Sequence, residues 1–112
     1  MDWGLAYDAM GRVEDALKKL RQAAAMEPTA HVYTQIAMVY AKRAQWAEAL
    51  DALATAEKLD PAFAATYLYR GKVYFRTNRL SEAEAQYRRA LEIEPRLDEA
   101  IQDLQRLKTG GH

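Results

Sequence analysis

Three stretches of this chain end alike: RQAAAMEP (21–28), ATAEKLDP (54–61) and RRALEIEP (88–95) each close on an acid followed by proline, at intervals of 33 and then 34 residues. Proline disfavours helical geometry in the residue before it and donates no backbone hydrogen bond. Glu27, Asp60 and Glu94 therefore mark helix ends. The fixed proline φ also suits the start of a following helix.

What lies between the stops is helical in period. Tyr33, Ile36, Ala37 and Tyr40 fall at i, i+3, i+4 and i+7, and a second stripe follows with Trp46, Ala49, Leu50, Leu53 and Ala56. The linking AKRAQ (41–45) breaks the stripe and leaves no room for a strand, so two antiparallel helices joined by a tight turn are expected. The pattern recurs downstream with Tyr67, Gly71 and Tyr74, then Leu80, Ala83, Tyr87, Ala90 and Leu91. Upstream it appears as Gly4 and Tyr7, then Val13, Ala16, Leu17, Leu20 and Ala23. Gly11 and Asn78 stand where the first helix of a pair should end, and both tolerate the left-handed backbone used there. Ala44 fills that slot in the middle pair and is a poorer stop. Ala16, Ala49 and Ala83 share one register, and Ala23, Ala56 and Ala90 another, so close approach of helix axes is expected at both.

A period near 34 with this spacing resembles the tetratricopeptide repeat, a helix-turn-helix unit that stacks into a superhelix. The third unit carries the fullest match, with Tyr67, Gly71, Tyr74, Ala83, Tyr87, Ala90 and Pro95 at the family's aromatic, glycine, aromatic, alanine, aromatic, alanine and proline places. The second matches through Tyr33, Ile36, Ala37, Tyr40, Ala49, Leu53, Ala56 and Pro61. The first retains Trp3, Gly4, Tyr7, Ala16, Leu20, Ala23 and Pro28. The resemblance covers about residues 1–95 and implies an all-α, right-handed superhelical stack of antiparallel helix pairs, about seven helices in one domain. Its parts would be a partial repeat (1–28), two full repeats (29–61 and 62–95), a capping helix (96–108) and a flexible tail (109–112).

Departures from the family pattern shape the expectation. Unit one begins partway through its first helix, with about nine helical residues there, and the link to unit two is one residue short. Arg70 replaces a leucine-like residue, so its stem would pack while its head reaches solvent. In the cap, Leu97, Ala100, Ile101, Leu104 and Leu107 form the apolar stripe, and Asp98, Glu99, Gln102, Asp103, Arg106 and Lys108 cover the rest. No such cap precedes unit one, which leaves Trp3, Leu5 and Tyr7 as a face for self-association or for continuation into a longer chain.

Composition narrows the function classes. The 16 basic and 16 acidic residues cancel, so no global charge draws the chain to nucleic acid or an anionic membrane. With no cysteine, disulfides and thiolate metal sites are excluded. The longest uncharged run, TAHVYTQIAMVYA (29–41), is too short to span a bilayer, and the start lacks a signal-like layout, so a cytoplasmic location is the default. Two histidines, His31 and His112, form no HExxH pattern, and there is no phosphate-cradling glycine loop or serine elbow. Ser81 in SEAE fits a capping box with Glu84. The expectation is no enzyme, no cofactor and no metal.

What remains is surface. In family terms the first helix of each unit lines a concave groove, which here would present His31, Thr34, Met38 and Lys42, then Leu68, Lys72, Phe75 and Arg76. Met38, Leu68 and Phe75 lie off the core stripes, either as contacts for a ligand or as packing between repeats. Lys42, Lys72 and Arg76 would set positive charge beside them, complementary to a peptide with an acidic residue near a hydrophobic anchor. The family's carboxylate clamp for chaperone tails needs lysines and asparagines at particular places, and Thr34, Met38 and Leu68 occupy such places, which disfavours that function. The leading reading is a noncatalytic peptide-binding scaffold. The alternatives are a self-associating structural repeat and, with only the basic patch in its favour, an RNA-binding repeat.

Overall fold

The computed structural model describes the backbone of residues 2–108 and the side chains of residues 13–108. Six helices follow one another among these residues: α1 (Asp2–Met26), α2 (Ala30–Lys42), α3 (Trp46–Leu59), α4 (Ala64–Arg76), α5 (Leu80–Ile93) and α6 (Asp98–Lys108). The acid-proline stops fall where the period places them. Asp60 and Glu94 close α3 and α5 with non-helical backbone, φ −151° and −133°. The Phe63 and Leu97 amides donate back to the Asp60 and Glu94 carbonyls, which sets Pro61 and Pro95 second in a turn, the place their fixed φ fits. The next helices begin three residues after these prolines, whereas α2 begins two after Pro28, where Thr29 caps it by accepting from the Val32 amide at 3.1 Å.

Inside the pairs the turns depend on a left-handed residue. Ala44 (φ 59°) separates α2 from α3, and Asn78 (φ 63°) separates α4 from α5. Ala44 takes this conformation despite its Cβ. Gly11 does not end a helix: α1 runs unbroken through it, so unit one contributes a single helix rather than a pair. One glycine inside a helix costs only about 1 kcal/mol relative to alanine, too little to break it when no proline or competing turn intervenes. Nor is Ser81 a cap. Because α5 already starts at Leu80, Ser81 sits inside its first turn, no side chain caps that helix, and Glu84 pairs with Arg88 instead.

The helices stack by translation. α2 packs beside α4 and α4 beside α6, with α3 lodged against α2 and α4, and α5 against α4 and α6. Since α3 and α5 do not meet, the layer α2–α4–α6 is the closer-set side and the stack curves toward it. The radius of gyration, 15.0 Å, exceeds the ~13 Å of a spherical chain of this length, as stacking requires. Alanine makes the close approach: Ala49, Ala56, Ala83 and Ala90 are each fully buried. One apolar cluster gathers Leu17, Ile36, Ala37, Leu53 and Val73, and a second gathers Tyr67, Leu68, Ala83, Tyr87 and Ala100. Leu97, just before α6, and Ala100, Leu104 and Leu107 of α6 close the second cluster.

Arg70 departs from expectation. Its head does not reach solvent but pairs with Glu57 of α3 at 2.7 Å and Gln86 of α5 at 3.3 Å, its side chain only 13% exposed. A guanidinium with several donors can serve both neighbouring helices at once, which a leucine-like residue could not.

Candidate functional site

Residues 34 apart hold equal places on α2 and α4, so Met38 lies level with Lys72, and Lys42 with Arg76. Between these helices and α3 opens a pocket of about 400 Å³. Its apolar wall is built by Ala37, Met38, Ala41, Trp46, Leu53, Tyr69 and Val73, and its charged groups are Lys42, Lys72 and Arg76. Lys42 and Arg76 are the last residues of α2 and α4, where a cation also suits the helix dipole. Both are exposed and neither forms an ion pair among the described residues. The Arg76 guanidinium lies 5.9 Å from the Trp46 ring centroid, a cation–π contact that leaves its charge uncompensated.

Lys72 differs from these two. Its ammonium is held by Glu99 Oε2 at 2.7 Å and Asp103 Oδ2 at 2.8 Å, both on α6. Burial pulls its pKa down, but the bonds to Asp103 and Glu99 outweigh burial and raise it. The Tyr69 hydroxyl, also at the pocket, is pushed up by burial and by the nearby Glu99 charge, with Lys72 opposing. Asp103, expected on the solvent side of the cap, is instead buried at 8% exposure. α6 packs beside α4, and Lys72 of α4 supplies the partner a buried carboxylate requires.

The remaining groove candidates disperse. Thr34 is buried, its hydroxyl 3.2 Å from that of Thr66 across the α2–α4 contact. Leu68 is 2% exposed inside the second cluster, and Phe75 packs half-buried against the same cluster. Their displacement from the core stripe reflects the lateral contact between neighbouring units. His31 is exposed near the start of α2, its Nε2 2.8 Å from Gln35 Nε2 and its ring edge-on to Phe63 at 6.1 Å. The structure thus brings Met38, Lys42, Lys72 and Arg76 together at one pocket and leaves the other four outside it. Trp3, Leu5 and Tyr7 lie outside the residues whose side chains are described. Trp46 and Tyr69 were not among the sequence candidates: Trp46 reads as core stripe, and only its place at the end of the hairpin turn hints at an open side. No helix among the described residues is long and apolar enough to cross a membrane.

Comparison with known proteins accords with this architecture. A family model described as Tetratricopeptide repeat matches residues 34–96, more than half of the 112. The chain belongs to the tetratricopeptide repeat family. Mouse sperm-associated antigen 1 is 32% identical over 94 residues, which amount to 84% of this chain and 10% of that protein. The chain therefore spans about a tenth of the length of the curated relative it matches. Among solved structures, the first repeat domain of human RPAP3 superposes with a TM-score of 0.82 at 26% identity, covering 96% of this chain and 86% of that one. The first repeat domain of Spaghetti (RPAP3), bound to the HSP90 peptide SRMEEVD, gives 0.80 at 25% identity over 97% and 87%. The second domain of human RPAP3, in complex with the HSP70 peptide SGPTIEEVD, gives 0.77 at 25% identity over 96% and 90%.

Proposed function

We propose that this tetratricopeptide repeat domain is a noncatalytic interaction module that binds an extended peptide on the α2–α4–α6 face. An apolar side chain of the partner enters the pocket beside Met38, Trp46 and Tyr69, and an acidic residue next to it meets Lys42 and Arg76. The observation that carries this reading is the apolar pocket flanked by two exposed cations that the described part of the chain does not itself neutralise. The peptides bound by the related domains have matching chemistry, since SRMEEVD and SGPTIEEVD each place Met or Ile directly before two glutamates.

The grip on the peptide differs from a clamp on a free chain end. Thr34 is closed off in the interior and Leu68 carries no side-chain donor, so neither can hold a terminal carboxylate. Binding here follows the apolar anchor and the adjacent acids, and an internal segment serves as well as a tail.

The test is a titration of fluorescein-labelled SRMEEVD, free and C-terminally amidated, read by anisotropy and by Trp46 emission in a Trp3→Phe background. Both forms are expected to bind with similar affinity and to perturb Trp46. The Lys42→Glu, Arg76→Glu double variant should weaken both by about tenfold or more, as reversing two groove charges against an acidic ligand implies. Saturable binding that leaves Trp46 emission unchanged and is indifferent to the double variant would refute the site.

A further inference from the structure

Lys72 lies in the pocket wall, yet two carboxylates of α6 already hold it. Lys72 is thus already shared by two negative charges, while Lys42 and Arg76 form no ion pair among the described residues. Arg106, level on α6 with Lys72 on α4, adds a positive charge further along the helix, which the buried Tyr87 also feels. Glu99 is the accessible member of the pair: its side chain is 51% exposed, against 10% for Asp103. Glu99 reaches the pocket through Lys72, which it holds at 2.7 Å and which lines the wall together with Tyr69.

We infer that Glu99 is a specificity-determining residue, which makes this groove select a peptide with acid on one flank of its apolar anchor and a basic or neutral residue on the other. The inference rests on the proposed peptide-binding reading. Its physical content is competition and repulsion. An acidic residue arriving on the α6 side finds the Lys72 ammonium occupied by Glu99, and must either displace that carboxylate or lie against it. A lysine or arginine there instead meets the free oxygen of Glu99 at the solvent edge. Like charges brought together at an interface suppress the wrong partner more strongly than matched rim charges strengthen the right one.

Glu99 also has a bland role, as one end of a partly exposed salt bridge that ties the cap to α4. Such pairs contribute little to stability, because solvent screens them and ordering two long side chains costs entropy. Its replacement should therefore leave the fold intact, so binding can be read separately from folding.

The experiment uses acetylated, amidated peptides with a central methionine in three forms. The first has two glutamates after the methionine and two lysines before it, the second has glutamates on both sides, and the third reverses the first. Each is titrated against the wild-type chain, Glu99→Gln and Glu99→Lys by anisotropy at low and high salt, with melting curves recorded for every variant. The wild type is expected to bind one of the two mixed-charge peptides at least about fivefold more tightly than the all-acidic one. In Glu99→Lys the order should reverse in favour of the all-acidic peptide, and Glu99→Gln should fall between. If the peptides bind at the Lys42–Arg76 pocket but their ranking is the same in all three proteins, the inference is wrong while the peptide-binding reading stands. If none of the peptides binds the wild type, both fall together.

Discussion

Gly71 offers the sharpest trial of the packing. A Cβ at this position would lie 2.7 Å from Tyr87 Cε1, 2.8 Å from Cδ1 and 3.1 Å from Cζ. The first two distances are well inside van der Waals contact, and the obstacle is the face of a ring rather than the tip of a flexible chain. Tyr87 has nowhere to retreat: it is fully buried in the cluster that includes Ala83, Ala90 and Ala100, and α6 closes the far side. Overpacking of this kind costs about 1–3 kcal/mol. Against it stands the gain of replacing a mid-helix glycine by alanine, about 1 kcal/mol. The strain is expected to win, leaving Gly71→Ala destabilised by up to about 2 kcal/mol, or up to roughly 8 °C in Tm for a chain of this size. Urea denaturation and calorimetry read both quantities. The decisive control is the same substitution in a Tyr87→Leu background, where the ring is gone and only the helix-propensity gain remains. There Gly71→Ala should be neutral or stabilising. A Gly71→Ala protein that melts higher than wild type, or an equal effect in both backgrounds, would refute the claim that glycine is required by the ring.

Two further outcomes follow from the same core and the same bridge. Ala49→Leu inserts three carbons at a fully buried helix contact and should lower Tm by several degrees, corresponding to about 1–3 kcal/mol, as measured by circular dichroism. Alkaline pH should destabilise the fold: Lys72 has a pKa raised above 10.5 by Asp103 and Glu99 despite burial, and Tyr87 one raised above 10.0 chiefly by its burial. Both groups hold their protons more tightly folded than unfolded, so their contribution is full below pH about 10 and is lost as pH rises beyond it. A denaturation midpoint that falls above pH 10 in the wild type, and falls less steeply in Lys72→Met, is the expected result; a flat profile would contradict it.

Much of the fold could be read directly along the chain. The acid-proline stops, the 34-residue period, the alanine registers and the capping stripe of α6 all express interactions within one helix or at its ends. Local sterics and periodicity dictate those whatever the rest of the molecule does. Ala44 and Asn78 were legible as turns for the same reason, although Gly11 shows the limit: a residue that permits a left-handed turn does not impose one.

The groove was legible only in part. Met38, Lys42, Lys72 and Arg76 meet at the pocket because the repeat period sets α2 and α4 in register. Thr34, Leu68 and Phe75, equally plausible by position, are taken up by contacts between neighbouring units. Arg70 and Asp103 point the same way, since each read as a solvent-facing charge and each is claimed by a partner on another helix. By itself the sequence determined which residues share a helix face and where each helix stops, because those are matters of backbone geometry and a fixed period. Only the tertiary structure decided which charges are spent inside the chain and which stay open to a partner, because that depends on the lateral distance and tilt between helices, and these are set by how small alanines and one glycine let the units close on each other.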